Sequence, residues 1–253
     1  MNIVVKVGTG VLTSDSGTLN EASMVHLATA LASLMDEGHQ VSLVSSGAVG
    51  AGVFLMGLDS YPSDLPTRQA CAAVGQPRLM HVYEALFGHF GISVAQLLLT
   101  ADDLKDRREN VQATLARLLE NRRVLPIINE NDTVSVRELR FGDNDILSVL
   151  VSELVGADRL FLLTGVDGLY PPGQDRKEII PVVDSIDEVM GFAGDDKGRF
   201  SMGGMAAKLA AVKRAVESGI GTYIVNGRYP GRIADLLKGD GGKGMGTYFR
   251  ERC

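Results

Sequence analysis

The chain has 253 residues, 45% of them hydrophobic and 22% charged. At roughly 150 residues per domain, this length implies one large domain or two small ones, and so many apolar residues exclude a disordered chain. With 25 Lys and Arg against 31 Asp and Glu the net charge is −6 and the basic residues are scattered, so no nucleic-acid partner is expected.

Cys71 and Cys253 cannot build a disulfide framework. His26, His39, His81 and His89 lack metal-ligand spacing, so no protein-held metal is expected. The opening MNIVVKVGTG lacks the basic-then-apolar layout of a signal peptide, and no apolar run approaches about 18 residues. A cytoplasmic protein without membrane contact is the expectation.

In chain order, Asn2–Val7 reads as a buried strand. Asn20 caps a helix whose Leu27, Leu31, Leu34 and Met35 keep a three-four spacing, ending at Gly38. Val41–Ser45 is the next strand, and helical patterns follow at Arg68–Phe87 and Asn110–Arg122, with a strand at Ser93–Leu99 between them. Val124–Asn129 is a strand, and Thr133–Phe141 alternates with period two like a hairpin. Ile146–Val155 and Ala206–Ser218 are helical, while Arg159–Thr164 and Thr222–Val225 are strands. Tyr170–Gly203, rich in Pro, Gly and charge, is expected to be looser. Such alternation predicts an α/β fold: a mostly parallel sheet with helices on both faces.

Open parallel sheets bind ligands beyond the carboxyl ends of their strands. Four predicted strand ends carry glycine or polar residues: Gly8-Thr9-Gly10, Ser45-Ser46-Gly47, Asn129-Glu130-Asn131-Asp132 and Thr164-Gly165. One or two such turns are ordinary; four together point to a ligand site. There is no GxxxxGK[ST] run and no GxSxG elbow. Residues 239–244 (GDGGKG) match GxGxxG but follow a helix rather than a strand, and the match is read as chance.

Three features carry chemistry. Lys6 sits inside an otherwise apolar strand, where a buried ammonium is costly without a partner, although a strand-end lysine can also reach solvent. The adjacent Gly8-Thr9-Gly10 turn could cradle an anion with its N–H groups. Gly142-Asp143-Asn144-Asp145 precedes a helix; with Asn129–Asp132 it gathers acids and amides suited to an ammonium group or to organising lysines. Gly203-Gly204-Met205-Ala206-Ala207-Lys208 opens a helix whose free N–H groups suit a phosphate, with Lys208 about one turn in.

At these residues the chain resembles the amino acid kinase family. The matching stretches are VVKVGTGVL (4–12), VSSGAVGAG (44–52), AAVGQPRLM (72–80), INENDTV (128–134), GDNDILSVLV (142–151), LFLLTGVDGLY (160–170) and GGMAAKLAAV (203–212). INEND followed by GDND points to the branch acting on L-glutamate. The resemblance implies a three-layer αβα sandwich forming a single domain over residues 1–253, with an acceptor lobe over about 1–155 and an ATP lobe over about 156–253. Family members often carry a C-terminal PUA domain; here GTYF (246–249) resembles the last strand of the kinase domain, and no PUA domain is expected. Gly165 stands where the family usually has Asp, and Met202 where it often has Thr.

The implied reaction is ATP-dependent phosphorylation of the γ-carboxylate of L-glutamate, the first step of proline synthesis. A carboxylate with a reference pKa of about 4.3 is already ionised and needs no general base. Lys6, Asp145 and Lys208 would be catalytic, with Asp145 holding both lysines. Gly8, Thr9, Gly10, Thr164, Gly165, Met202, Gly203, Gly204, Met205, Ala206 and Ala207 would join the lysines in binding ATP. Ser46, Asp132 and Asn144 would bind glutamate, Asp132 its ammonium and Asn144 with backbone groups its α-carboxylate. Mg²⁺ would arrive with ATP, proline would compete with glutamate, and a homo-oligomer and product channelling to the next pathway enzyme are further expectations. The alternatives are a kinase for a different carboxylate and a catalytically inactive amino-acid or nucleotide sensor.

Overall fold

A computed structural model of the chain describes residues 1–14, 18–135, 144–173, 178–192, 204–239 and 244–252. The first half runs β1 (Asn2–Val7), the single turn α1 (Thr9–Leu12), α2 (Glu21–Asp36), β2 (Gln40–Ser45), α3 (Ala48–Leu55), α4 (Leu65–Gly88), β3 (Ser93–Leu99), α5 (Ala101–Asp106), α6 (Arg108–Leu119) and β4 (Val124–Glu130). The second half runs α7 (Asn144–Val155), β5 (Arg159–Thr164), β6 (Val182–Val183), α8 (Met205–Glu217), β7 (Gly221–Asn226), α9 (Arg232–Leu237) and β8 (Gly246–Phe249).

All eight strands form one sheet in the order β3-β4-β2-β1-β5-β7-β8-β6. The six strands from β3 to β7 in that order are parallel; β8 runs against β7, and β6 follows β8. The halves of the chain build the halves of the sheet and meet where β1 pairs with β5. There the succession of strands reverses direction, which opens a crevice at their carboxyl ends.

Side-chain alternation in β1 sorts its residues between two cores. Ile3, Val5 and Val7 pack with α2, α4 and α9 on one face, while Val4 packs with α6, α7 and α8 on the other. Lys6 shares the parity of Val4 and therefore enters the layer of α7 and α8. Asn20 caps α2 by accepting from Ser23 N–H at 3.1 Å, and Gly38, at φ 89°, ends it.

Several elements differ from expectation. The glycine-rich Ala48–Leu55 forms α3, which periodicity does not reveal, and α4 begins earlier than Arg68, at Leu65, capped by Asp64. The close approach of the two helices explains the first, and the Asp64 cap with Pro66 in the first turn sets the start of α4. A Cβ on Gly52 would lie 1.9 Å from the Cys71 carbonyl oxygen, and one on Gly75 would lie 1.9 Å from that of Ala48. Helix α7 starts at Asn144, two residues before the predicted Ile146. In the Thr133–Phe141 segment, Val134 and Ser135 N–H both bond the Asn131 carbonyl in a turn, so no strand begins there; the remainder lies outside the described residues. Within Tyr170–Gly203, expected to be looser, Val182–Val183 adds an edge strand beside β8. Gly142, Asp143, Met202, Gly203, Cys253 and most of the 239–244 run also lie outside the described residues. Cys71 is buried and free.

The α3–α4 crossing has no room for a methyl group. Gly75→Ala is expected to destabilise the protein by at least about 1–3 kcal/mol, read as a lowered denaturant midpoint.

Candidate active site

The site lies at the carboxyl ends of β1, β2, β4 and β5, over the crevice between β1 and β5. Lys6, in register with Val44 of β2 and Leu162 of β5, is 2% exposed. Its Nζ lies 2.6 Å from Asp145 Oδ1. Asp145, fully buried in the first turn of α7, accepts from Lys208 Nζ through Oδ2 at 3.0 Å. Lys208 stands one turn into α8, which packs beside α7. One carboxylate thus holds two ammonium groups that arise about 200 residues apart in the chain.

Burial pushes the Asp145 carboxyl up, but the ammonium groups of Lys6 and Lys208 outweigh it and hold the carboxyl below the ordinary value. Its place at the α7 N-terminus also favours the anion. Taken as three groups, the cluster carries one net positive charge, the sign that phosphate oxygens require.

Around it lie the loops. Gly8 N–H donates to the Leu163 carbonyl at 3.2 Å and ties β1 to β5. Thr9 and Gly10, in the first turn of α1, keep N–H groups without an intrahelical partner. Thr164 ends β5, and its carbonyl accepts from Gly227 N–H at 2.8 Å. Gly165 is exposed, and a Cβ there would meet nothing within 4 Å, so an aspartate would fit; its absence is not steric. Gly204, Met205, Ala206 and Ala207 form the start of α8, where no side chain among the described residues caps the N-terminus.

On the acceptor side, Gly47 at φ 103° turns the chain from β2 into α3. This conformation favours glycine and brings Ser46 to the rim of the crevice. Asn144 Nδ2 lies 3.1 Å from the Ser45 carbonyl oxygen, 2.9 Å from Ser46 Oγ and 2.9 Å from Asn129 Oδ1, its two hydrogens shared among the three acceptors. Its Oδ1 is buried with no partner among the described residues. The free atom of Asn144 is therefore an acceptor, which suits an ammonium rather than the α-carboxylate first expected. Asp132 is half-buried in the turn after β4, its N–H bonded to the Glu130 carbonyl at 2.9 Å. Ser45 Oγ and Tyr83 OH, 2.9 Å apart, brace the end of β2 from beneath.

The structure thus joins Lys6, Asp145 and Lys208 in one ion cluster, and Ser46 and Asn144 in one hydrogen-bond group. Sequence reasoning gave Asn129 no individual role and assigned none to Gln76, whose Oε1 accepts from Asn129 Nδ2 at 3.0 Å. Their signals are a polar residue at a strand end and a glutamine in the AAVGQP run.

The chain belongs to the amino acid kinase family, whose model matches residues 1–226. Within that family its relatives include glutamate 5-kinases. The glutamate 5-kinase of Geobacter metallireducens is 47% identical over 253 residues, covering 98% of this chain and 67% of the relative. That of Clostridium tetani is 44% identical over 253 residues, covering 98% of this chain and 94% of the relative. Among solved structures, the carbamate kinase from Giardia lamblia bound to citric acid matches with a TM-score of 0.66 at 14% identity. That match covers 99% of this chain and 98% of the other, a likeness of fold. Among the described residues no helix is long and apolar enough to cross a membrane.

The ion cluster also contributes to stability. Because the folded pKa of Asp145 is lowered from 3.8, its contribution is complete above that value and is lost as pH falls through the lower folded one. Asp145→Asn leaves two buried ammonium groups without their anion. It is expected to cost about 3–5 kcal/mol near neutral pH, with the gap from wild type narrowing below about pH 4, as measured by denaturant titration across pH.

Proposed function

We propose that the site transfers the γ-phosphoryl group of ATP to the γ-carboxylate of L-glutamate, giving γ-glutamyl phosphate and ADP. The observation that carries this reading is the single buried carboxylate of Asp145 holding the ammonium groups of Lys6 and Lys208. Phosphoryl transfer needs positioning and electrostatic stabilisation more than covalent chemistry. Kinship with glutamate 5-kinases supports the same reading.

Lys6 stabilises charge on the phosphoryl oxygens during transfer, and Lys208 stabilises charge on the departing ADP side. Asp145 fixes both. The Thr9 and Gly10 N–H groups bind phosphate oxygens, and the uncapped start of α8 faces the nucleotide, with Thr164 and Gly165 at its edge. Met202 and Gly203 are assigned to the same nucleotide set by sequence. Asp132 and Asn144 Oδ1 receive the substrate's ammonium, and Ser46 lines the same pocket. The acceptor carboxylate is ionised and needs no base. Mg²⁺, which shields the phosphate charge, would arrive with ATP and be held mainly by phosphate oxygens.

The product is an acyl phosphate, and we place its formation at the first, cytoplasmic step of proline biosynthesis. Proline carries an ammonium and a carboxylate on one carbon, as glutamate does, and so fits the same pocket as a feedback inhibitor.

In an assay of L-glutamate, ATP and Mg²⁺ with hydroxylamine, ADP release is expected to match formation of γ-glutamyl hydroxamate. Lys6→Met should lower kcat by about 10²–10³-fold with little change in glutamate KM; unchanged turnover would contradict its role. Millimolar proline is expected to raise the apparent glutamate KM without lowering the limiting rate.

A further inference from the structure

A line of side-chain amides runs from an exposed sheet edge into the acceptor pocket. Gln76 Nε2 donates to Gln96 Oε1 on β3 at 2.8 Å, and Asn129 Nδ2 donates to Gln76 Oε1 at 3.0 Å. Asn144 Nδ2 in turn donates to Asn129 Oδ1 at 2.9 Å. Gln76, Asn129 and Asn144 are 7%, 2% and 8% exposed.

An amide group can be turned end for end, but two backbone groups fix the sense of this line. The Ser45 carbonyl can only accept, so the group of Asn144 facing it is the NH₂. Glu130 N–H can only donate, and it reaches Asn129 Oδ1 at 2.9 Å. Asn129 must then present its NH₂ to Gln76, and Gln76 its own to Gln96. With every NH₂ committed, Asn144 Oδ1 is left as the acceptor at the inner end. Each N–H donated polarises its amide further and makes that oxygen a better acceptor for a cation.

We infer that Gln76 is a positioning residue for the substrate's α-ammonium: through Asn129 it locks Asn144 with its carbonyl oxygen facing the pocket. Gly75, at the crowded helix crossing, fixes the height at which Gln76 meets β4. Without the Gln76 oxygen, the NH₂ of Asn129 has no acceptor at a 2% exposed position, and Asn129 must shift against Asn144. This inference rests on the glutamate reading given above.

The test compares the wild type with Gln76→Met, which keeps the side-chain length and removes the amide. Glutamate KM is expected to rise about tenfold, with kcat and ATP KM within about twofold. Glutarate, which has both carboxylates and no ammonium, should inhibit wild type and variant with the same constant, a result that general loosening of the pocket would not produce. An unchanged glutamate KM, or an equal rise in the glutarate constant, overturns the inference. If Gln76→Met does not fold, Gln76→Glu carries the test: it keeps an acceptor opposite Asn129 and should hold glutamate KM within about threefold. A tenfold rise there overturns the inference. Absence of glutamate-dependent hydroxamate from the wild type overturns the glutamate reading itself; hydroxamate from the wild type with an unaltered variant KM overturns the role of Gln76 alone.

Discussion

An ammonium group in the middle of a parallel sheet is the constraint around which this fold is arranged. Lys6 lies on a central strand with neighbours on both sides, in a layer otherwise filled by Val4, Val44, Leu160 and Leu162. Such a charge is tolerable only beside an anion, and Asp145 is held 2.6 Å away by the first turn of α7. The same carboxylate then draws Lys208 inward from α8. Breaking any one of these contacts leaves a buried charge exposed to a medium that solvates it poorly. The geometry of the proposed catalytic cluster and local stability are therefore the same interaction.

The acceptor pocket depends on a different device. Gly52 and Gly75 let α3 and α4 touch backbone to backbone, and the residue after Gly75, Gln76, meets Asn129 at the end of β4. The bonds that follow are all between uncharged amides. Their value lies in direction, because the last group must present an oxygen and not a nitrogen. One end of the site is thus built from charge and the other from polarity, and the two meet in consecutive residues, Asn144 and Asp145.

Much of this was legible in the sequence. The alternation of Ile3, Val5 and Val7 with Val4 marked β1 as buried on both faces, and the lysine in its midst marked the chemistry. The partners of Lys6 were legible through resemblance, because periodicity carries no information on which helix start faces which strand. Helix α3 was hidden because Gly50 and Gly52 lower helix propensity; tertiary contact with α4 overrides that preference. The sense of the amide line was beyond sequence reading. It is set by the Ser45 carbonyl and the Glu130 N–H, groups that nearly every residue carries.

The wiring of the sheet also has a consequence during synthesis. Strand β1 emerges from the ribosome first, yet its flanking strand β5 ends at Thr164, and the second lysine of the ion cluster follows only at residue 208. Until residue 208 is made Lys6 has no completed cluster to enter, and the contacts that bury it are far apart in sequence, a topology that folds slowly. A nascent chain shorter than about 208 residues therefore lacks the paired cations. The ion cluster is therefore completed only once residue 208 has been made.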